Sequence, residues 1–219
     1  MSSTKRKRET SSGSVEVILG GDLLKSSTEP FLAHQANCES KGARGLAKFL
    51  FKAFPDANVY AKRSTPSTPG SIEERDCDGR VIVALYAQRS PGLARSGEGD
   101  DSGPARLAWF EESPELLGSL MVARGADRVA LPFNIGCGLA GGKWTDYRAK
   151  LDAFAERFDV SVKLYDLERA SLGPPARGGK TAGAGGPTGP RKCADCSKTL
   201  PANEPAWKVR CYSCWKANK

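Results

Sequence analysis

Short apolar runs separated by glycine, proline and polar residues run through most of the chain. Runs at residues 15–19, 31–34, 80–86, 129–133 and 160–165 predict strands, because each is brief and rich in β-branched or aromatic residues. The run at 80–86 is apolar throughout, which indicates a strand buried on both faces. About six strands alternating with helices predict an α/β domain with a central mixed, mainly parallel sheet flanked by helices.

Helical periodicity lies between these runs. Residues 43–54 predict a helix that ends at Pro55, with one apolar face made of Leu46, Phe49, Leu50 and Phe54. A second helix carries Leu107 and Phe110, and Ser113-Pro114-Glu115 indicates the start of a third that ends near Gly125. A last helix is predicted by steps of three and four between Trp144, Tyr147, Leu151, Phe154 and Phe158.

A glycine-rich loop joins the strand at 129–133 to this last helix. It reads Asn134-Ile-Gly-Cys-Gly-Leu-Ala-Gly-Gly142, and glycines let backbone N–H groups approach another molecule closely. A strand, such a loop and a helix N-terminus together form a binding site for phosphate. The alternative is that the glycines serve packing alone.

The net charge of +8 is unevenly distributed. Residues 1–14 carry +3 and residues 172–219 carry +7, so the part between them carries −2. We predict a disordered basic tail at 1–14, a folded domain at 15–171, a flexible Gly/Pro-rich linker at 172–191 and a small module at 192–219. Lys5-Arg6-Lys7-Arg8 indicates either a nuclear import signal or a merely solubilising arm.

Four of the seven cysteines form two CxxC pairs near the C-terminus, Cys193/Cys196 and Cys211/Cys214. This spacing predicts a zinc ribbon with a structural, four-thiolate zinc ion. Aromatic residues interleave there with lysines and arginines, which fits either nucleic-acid binding or a minimal core. An odd cysteine count, no apolar leader and no long apolar run predict an intracellular protein, nuclear or cytoplasmic, that is neither secreted nor membrane-bound.

Several separated segments of residues 15–167 together resemble a macrodomain, a three-layer α/β fold that binds ADP-ribose. The similarity is closest to the branch of ADP-ribose 1″-phosphate phosphatases. It rests on Gly21-Asp22-Leu23, His34-Gln35-Ala36-Asn37-Cys38, Gly42-Ala43-Arg44-Gly45-Leu46-Ala47 and the glycine-rich loop up to Trp144. Residues 87–92 and Arg106-x-x-Trp109-Phe110 also resemble that branch.

The resemblance implies a role for each segment. Asp22, flanked by Gly21 and Leu23, would bind adenine, Asn37 would orient the distal ribose, and Tyr165 would stack near adenine unless it only packs in the core. Two segments would enclose the diphosphate and distal ribose, with Gln35 and Ala36 beside them. Their residues are Gly42, Ala43, Arg44, Gly45, Leu46 and Ala47, and Ile135, Gly136, Cys137, Gly138, Leu139, Ala140 and Gly141. Arg44 and Lys143 depart from the pattern of the phosphatase branch and its viral relatives, which leaves a catalytic role at residue 143 open.

The predicted function is hydrolysis at the 1″ position, with ADP-ribose 1″-phosphate as first substrate. His34 and Asn37 are the candidate catalytic residues, His34 because a neutral imidazole can activate water. A buried, hydrogen-bonded structural histidine is the alternative. Removal of ADP-ribose from protein or nucleic acid, non-catalytic reading of ADP-ribosylation, and zinc-dependent nucleic-acid binding on a macrodomain scaffold are the other hypotheses. The basic zinc module would then contact nucleic acid or an ADP-ribosylated protein.

Overall fold

A computed structural model describes residues 13–61, 63–97 and 99–167, which form one sheet with helices on both faces. The strands are β1 Ser14–Leu19, β2 Phe31–Asn37, β3 Ile72–Cys77, β4 Arg80–Gln88, β5 Arg128–Pro132 and β6 Ser161–Asp166. The helices are α1 Leu46–Ala53, α2 Gly103–Ala123 and α3 Trp144–Phe158, with a short 3-10 helix at Pro55–Ala57. None of the described helices is long and apolar enough to cross a membrane.

The sheet has the strand order β1-β6-β5-β2-β4-β3. All neighbouring strands are parallel except β3, which pairs antiparallel with β4 at one edge. The prediction of a mixed, mainly parallel sheet is therefore confirmed. The carboxyl ends of five strands meet at one edge of the sheet, so the loops that follow β1, β2, β4 and β5 lie on that edge.

The uninterrupted apolar sequence of strand β4 is explained by the burial of both of its faces. Val81, Val83 and Leu85 pack under α2 and α3, whereas Ile82 and Ala84 pack in a second core on the face that α1 covers. This arrangement gives three layers, with α2 and α3 on one face and α1 on the other. The predicted layered architecture is confirmed for the described residues.

The first helix is shorter than predicted, and it buries a different face from the one predicted. It begins at Leu46 and not at residue 43, and it buries Ala47, Leu50 and Phe51. Phe49, which was expected on the apolar face, is 62% exposed. The prediction was wrong because Phe51, which lies on the opposite side of the helix from Phe49, faces the core on this side of the sheet.

The region around Pro114 forms one helix and not the two predicted. Helix α2 begins at Gly103 and is capped by Ser102, whose side chain accepts a hydrogen bond from the Ala105 N–H, and it continues through Pro114. A proline inside a helix costs about 3 kcal/mol. Burial of Phe110, Leu117 and Met121 on both sides of the proline offsets this cost.

Strand β3 was not among the predicted runs. Its middle reads Glu73-Glu74-Arg75-Asp76, and its only fully buried member is Cys77. Such a sequence has no period of two, because an edge strand with a solvated face needs little apolar surface. Charged side chains along an edge also discourage pairing with another chain.

Candidate functional site

The predicted site segments lie at the carboxyl edge of the sheet, where adjacent strands send the chain to opposite faces. The chain leaves β2 for α1 on one face, and it leaves the neighbouring β5 for α3 on the other. Ligands of open α/β sheets bind in the crevice that such a divergence creates. The loop at residues 38–45 and the glycine-rich loop at residues 134–142 border this crevice.

These two loops touch each other at Gly45. The residue has a φ of +56°, and a β-carbon there would lie 3.1 Å from Cδ1 of Leu139 in the glycine-rich loop. Glycine is favoured at this position for both reasons. The N-termini of α1, at Gly45, and of α3, at Lys143, have no capping side chain. Helix α1 has no acid in its first turn, so its own sequence does not neutralise the first N–H groups and the dipole end that face the loops. Helix α3 carries Asp146 in its first turn, and that carboxylate lies 3.5 Å from the Lys143 ammonium.

The glycine-rich loop is held by its own backbone. Cys137 N–H donates to the Asn134 carbonyl at 2.9 Å, and Gly142 N–H donates to the Gly136 carbonyl at 3.0 Å. Gly136 has a φ of +75°, and a β-carbon there would overlap the buried Tyr147 ring. Gly138 is different, because a β-carbon at that position would meet nothing within 4 Å.

Asn37 holds the loop that follows β2. Its Oδ1 accepts the N–H groups of Glu39 at 3.2 Å and Ser40 at 2.7 Å, and its Nδ2 donates to the Tyr60 hydroxyl at 3.2 Å. Arg63 supports the same turn by donating to the carbonyls of Asn37 and Ser40, both at 2.9 Å. The side chain predicted to orient the distal ribose thus shapes the loop beside the crevice.

Asp22 and Tyr165 lie together at the end of β1. Oδ1 of Asp22 accepts the Leu24 N–H at 2.9 Å, and a β-carbon at Gly21 would be 2.7 Å from the Tyr165 ring. The Tyr165 ring belongs to the core under α1, and its hydroxyl donates to buried Glu29 at 2.9 Å. This position favours the core-packing interpretation of Tyr165.

His34 lies inside the core and not at the end of a strand, because β2 continues to Asn37. It is 2% exposed and shares a face with Leu32 and Ala36, with its ring edge-on to Phe51 at 5.6 Å. Burial lowers the pKa of His34 to about 4, only partly opposed by its contact with the Gln35 carbonyl. The geometry favours the structural alternative, and His34 is left out of the mechanism proposed below.

The cysteines near the crevice are poor nucleophiles. Burial raises the pKa of Cys38 to about 11 and that of Cys137 to about 12, so both thiols are protonated at neutral pH. Leu23, Ala36, Ala47, Ile135 and Ala140 are also buried, and they shape the site through packing. Ala43 and Leu46 are partly buried beside the same core.

Charged groups do reach the solvent around the crevice. Arg44 and Lys143 are exposed on its two sides, and Lys143 lies 3.5 Å from Asp146. Glu39, in the loop after Asn37, is exposed and accepts a hydrogen bond from the Ser90 hydroxyl at 2.9 Å. Sequence reasoning missed Glu39, because one acid in a polar loop carries no periodic signal.

A buried ion pair links the loops that follow β4 and β5. Arg106 and Asp101 are both buried, and the guanidinium donates to both carboxylate oxygens, at 2.8 and 2.7 Å. The sequence points to Arg106 only within a resemblance, and it does not point to Asp101. An arginine that follows a glycine-rich acidic loop does not indicate burial by itself.

Two further cavities are not lined by the loops at residues 38–45 and 134–142. One of about 470 Å³ is bordered by the 3-10 helix, Ala61, residues 63–67 and β3, and the other lies between β1 and α3. Among the described residues, no group of histidines, cysteines and acids could hold a metal ion. Cys193, Cys196, Cys211 and Cys214 lie outside those residues, as do the predicted basic tail and linker.

Comparison with known proteins defines the class of this fold. No protein-family model matches the sequence, and no curated protein matches it. Among solved structures, the macrodomain of Mycobacterium tuberculosis DarG superposes with a TM-score of 0.56 at 20% identity, covering 70% of this chain and 97% of that one. The described domain therefore has the macrodomain fold.

Two further matches are to larger proteins. Thermosipho africanus DarTG in complex with ADP-ribose gives a TM-score of 0.52 at 17% identity, covering 69% of this chain and 41% of that chain. Alphavirus P23pro-zbd gives 0.55 at 16% identity over 73% of this chain, which spans only 23% of the alphavirus chain. At these identities the similarity establishes the fold.

Proposed function

We propose that the macrodomain-fold unit binds ADP-ribose, with the diphosphate against the glycine-rich loop. The observation that carries this proposal is the meeting of the loops after β2 and β5 where α1 and α3 leave on opposite faces. The N-termini of α1 and α3, which have no capping side chain, and the exposed cations Arg44 and Lys143 suit a diphosphate. A macrodomain neighbour that holds ADP-ribose supports the choice of ligand.

Calorimetry with ADP-ribose tests the binding proposal. Wild type should bind, and Gly138→Val should weaken binding at least tenfold, or about 1.4 kcal/mol. The added side chain meets only open space in the free protein, so the variant should fold normally. Gly103→Val is the matched control, because that glycine also faces open space but lies at the start of α2. Absence of binding by wild type at millimolar ADP-ribose would refute the proposal.

We further propose that the bound nucleotide is hydrolysed at the 1″ position, with ADP-ribose 1″-phosphate as the first substrate. Water would attack the 1″ phosphate, releasing inorganic phosphate and ADP-ribose. The exposed carboxylate of Glu39 lies two residues after Asn37 in the loop assigned to the distal ribose, so it is the base we assign to this water. Release of ADP-ribose from modified protein or nucleic acid is the alternative reaction, in which water attacks the 1″ carbon and the bond from that carbon to the modified group breaks.

Phosphate release by wild type, Glu39→Gln and His34→Leu tests this chemistry. Glu39→Gln should lower the rate at least a hundredfold while ADP-ribose affinity stays within threefold of wild type. His34→Leu should keep most of the activity, because the imidazole is buried. Full activity in Glu39→Gln would exclude this base.

A non-catalytic reader of ADP-ribosylation is the second candidate function. The burial of His34 and the raised pKa values of Cys38 and Cys137 favour it, since these three residues are poorly suited to act as base or nucleophile and only Glu39 is left for that role. A reader would bind ADP-ribose but release neither phosphate nor ADP-ribose from any modified substrate. The predicted zinc module would then add a second contact, to nucleic acid or to the modified protein.

A further inference from the structure

The Arg106 guanidinium donates hydrogen bonds to four backbone carbonyls from two loops. Nη1 donates to the carbonyls of Gly92, at 2.6 Å, and Ala140, at 3.2 Å. Nη2 donates to the carbonyls of Ser90, at 3.1 Å, and Leu93, at 3.3 Å. Ala140 belongs to the glycine-rich loop, and the other three carbonyls belong to the loop after β4. One side chain on α2 therefore binds both loops.

Asp101 completes the cluster from the opposite side. Besides binding Arg106, its oxygens accept the N–H groups of Arg89 at 2.9 Å and Ser90 at 3.1 Å. Its backbone φ is +74°, which a residue other than glycine adopts rarely. Burial opposes the charge of Asp101, but the hydrogen bonds from Arg106, Arg89 and Ser90 hold its pKa below the ordinary value. The buried guanidinium thus has a charged partner and uses all of its N–H groups.

Movement of either loop away from its observed position would leave part of this cluster without its partners. If the glycine-rich loop moved away, Arg106 would lose the Ala140 carbonyl, and a buried donor without an acceptor is costly. If the loop after β4 moved, the guanidinium would lose three carbonyl acceptors. The side chain of Leu93 would also lose its contact with Gly141, where a β-carbon would lie 2.6 Å from Leu93 Cδ2. The ion pair therefore fixes the distance between the two loops.

We propose that Arg106, paired with Asp101, is a positioning residue that holds the glycine-rich loop in its ligand-binding conformation through the Ala140 carbonyl. The inference rests on the proposed function for the identity of the ligand, but the anchoring itself does not. Arg106 touches no ligand, and its effect passes through the backbone of residues 138–142. Lysine cannot replace it, because an ammonium has three donors on one atom and cannot span the carboxylate and the carbonyls together.

The test combines hydrogen exchange with ADP-ribose binding in the full chain. The N–H groups of Gly141 and Gly142 are bonded within the loop and report its opening. In Arg106→Lys they should exchange at least tenfold faster, whereas the amides of β4 should not change by more than threefold. The affinity for ADP-ribose should fall at least tenfold at a temperature where the variant is fully folded. Asp101→Asn should do the same to a smaller degree.

Arg148→Lys is the matched control. Arg148 also joins two elements, through Asp152 at 2.9 Å and the Val15 carbonyl at 3.1 Å, but it lies away from the loops. Its substitution should leave loop exchange and affinity unchanged. Unchanged exchange and affinity in a folded Arg106→Lys would overturn the proposal. Faster loop exchange in a protein whose wild type ignores ADP-ribose would support the anchor and refute the ligand.

If neither variant folds, hydrogen exchange of the wild-type protein alone tests the proposal. An anchored loop should open no more often than the start of α2, so Gly141, Gly142 and Arg106 amides should exchange at similar protection. Free exchange of Gly141 and Gly142 while the Arg106 amide stays protected would overturn the proposal, because the loop would then open without breaking the cluster.

Discussion

The burial of His34 predicts a stability change between pH 7.5 and pH 5. The unfolded chain protonates this imidazole near pH 6.5, whereas burial lowers its pKa to about 4 in the folded state. The unfolded state therefore binds more protons in this range, and the free energy of unfolding must fall as the pH falls. The stability is fully present above pH 6.5 and is lost progressively down to about pH 4.

The expected loss between pH 7.5 and pH 5 is about 2 kcal/mol, at about 1.4 kcal/mol for each pH unit below 6.5. The depressed pKa values of Glu29 and Asp101 do not interfere, because stability from those carboxylates is lost only at lower pH. His34→Leu removes the titration and also removes Nε2, which has no hydrogen-bond partner among the described residues. We expect the variant to match or exceed wild type at pH 5.

Urea unfolding of both proteins at the two pH values measures this effect. With a slope of about 2 kcal/mol per molar urea, the wild-type midpoint should drop by about 1 M more than that of His34→Leu. An equal drop in both proteins would show that the pH dependence comes from other groups. It would also indicate that His34 is accessible to solvent and is again a candidate base.

Three further predictions follow from packing and from the sequence. Gly136→Ala should destabilise the domain by about 3 kcal/mol, because of its positive φ and the Tyr147 ring, as thermal melts would detect. A normal melting temperature would mean that the loop can relax. Tyr165→Phe should cost about 1–3 kcal/mol by leaving buried Glu29 without its hydroxyl donor, with ADP-ribose affinity nearly unchanged; a large loss of affinity without destabilisation would mean that the hydroxyl contacts the ligand and not Glu29. Elemental analysis of the purified full chain should find one zinc per chain, and replacing Cys193 and Cys196 by serine should remove it without loss of ADP-ribose binding. Retention of zinc by that variant would contradict the four-thiolate site.

The sequence predicted those parts of the fold that local pattern controls. The uniform apolar run of β4 and the period of α3 each specify an element and its buried face, and both occur as predicted. Strand β3 was not predicted, because its partner β4 supplies the apolar surface and β3 supplies mainly backbone hydrogen bonds. Likewise, Pro114 is a strong local signal for a new helix, but burial of side chains on either side outweighs it.

The site shows the same division between local and tertiary information. The loops were identifiable because glycines mark them, but the direction of a side chain on β2 was not. His34 and Gln35 are neighbours on one strand, and alternation sends them to opposite faces, His34 to Phe51 and Gln35 to Gly136. Only knowledge of which face α1 covers decides which of the two is enclosed in the second core.

The two interpretations of the glycine-rich loop, packing and ligand approach, apply to different glycines. Gly136 has a positive φ and a ring against it, so packing accounts for this residue without any ligand. Gly138 and, in the loop after β2, Gly42 have neither a positive φ nor a neighbour within 4 Å. In the described part of the chain, nothing requires glycine at these two positions. A ligand that approaches the backbone from the open side would require it. ADP-ribose contacts should therefore concentrate at Gly42 and Gly138, and a side chain at either position should weaken binding while leaving the melting temperature unchanged.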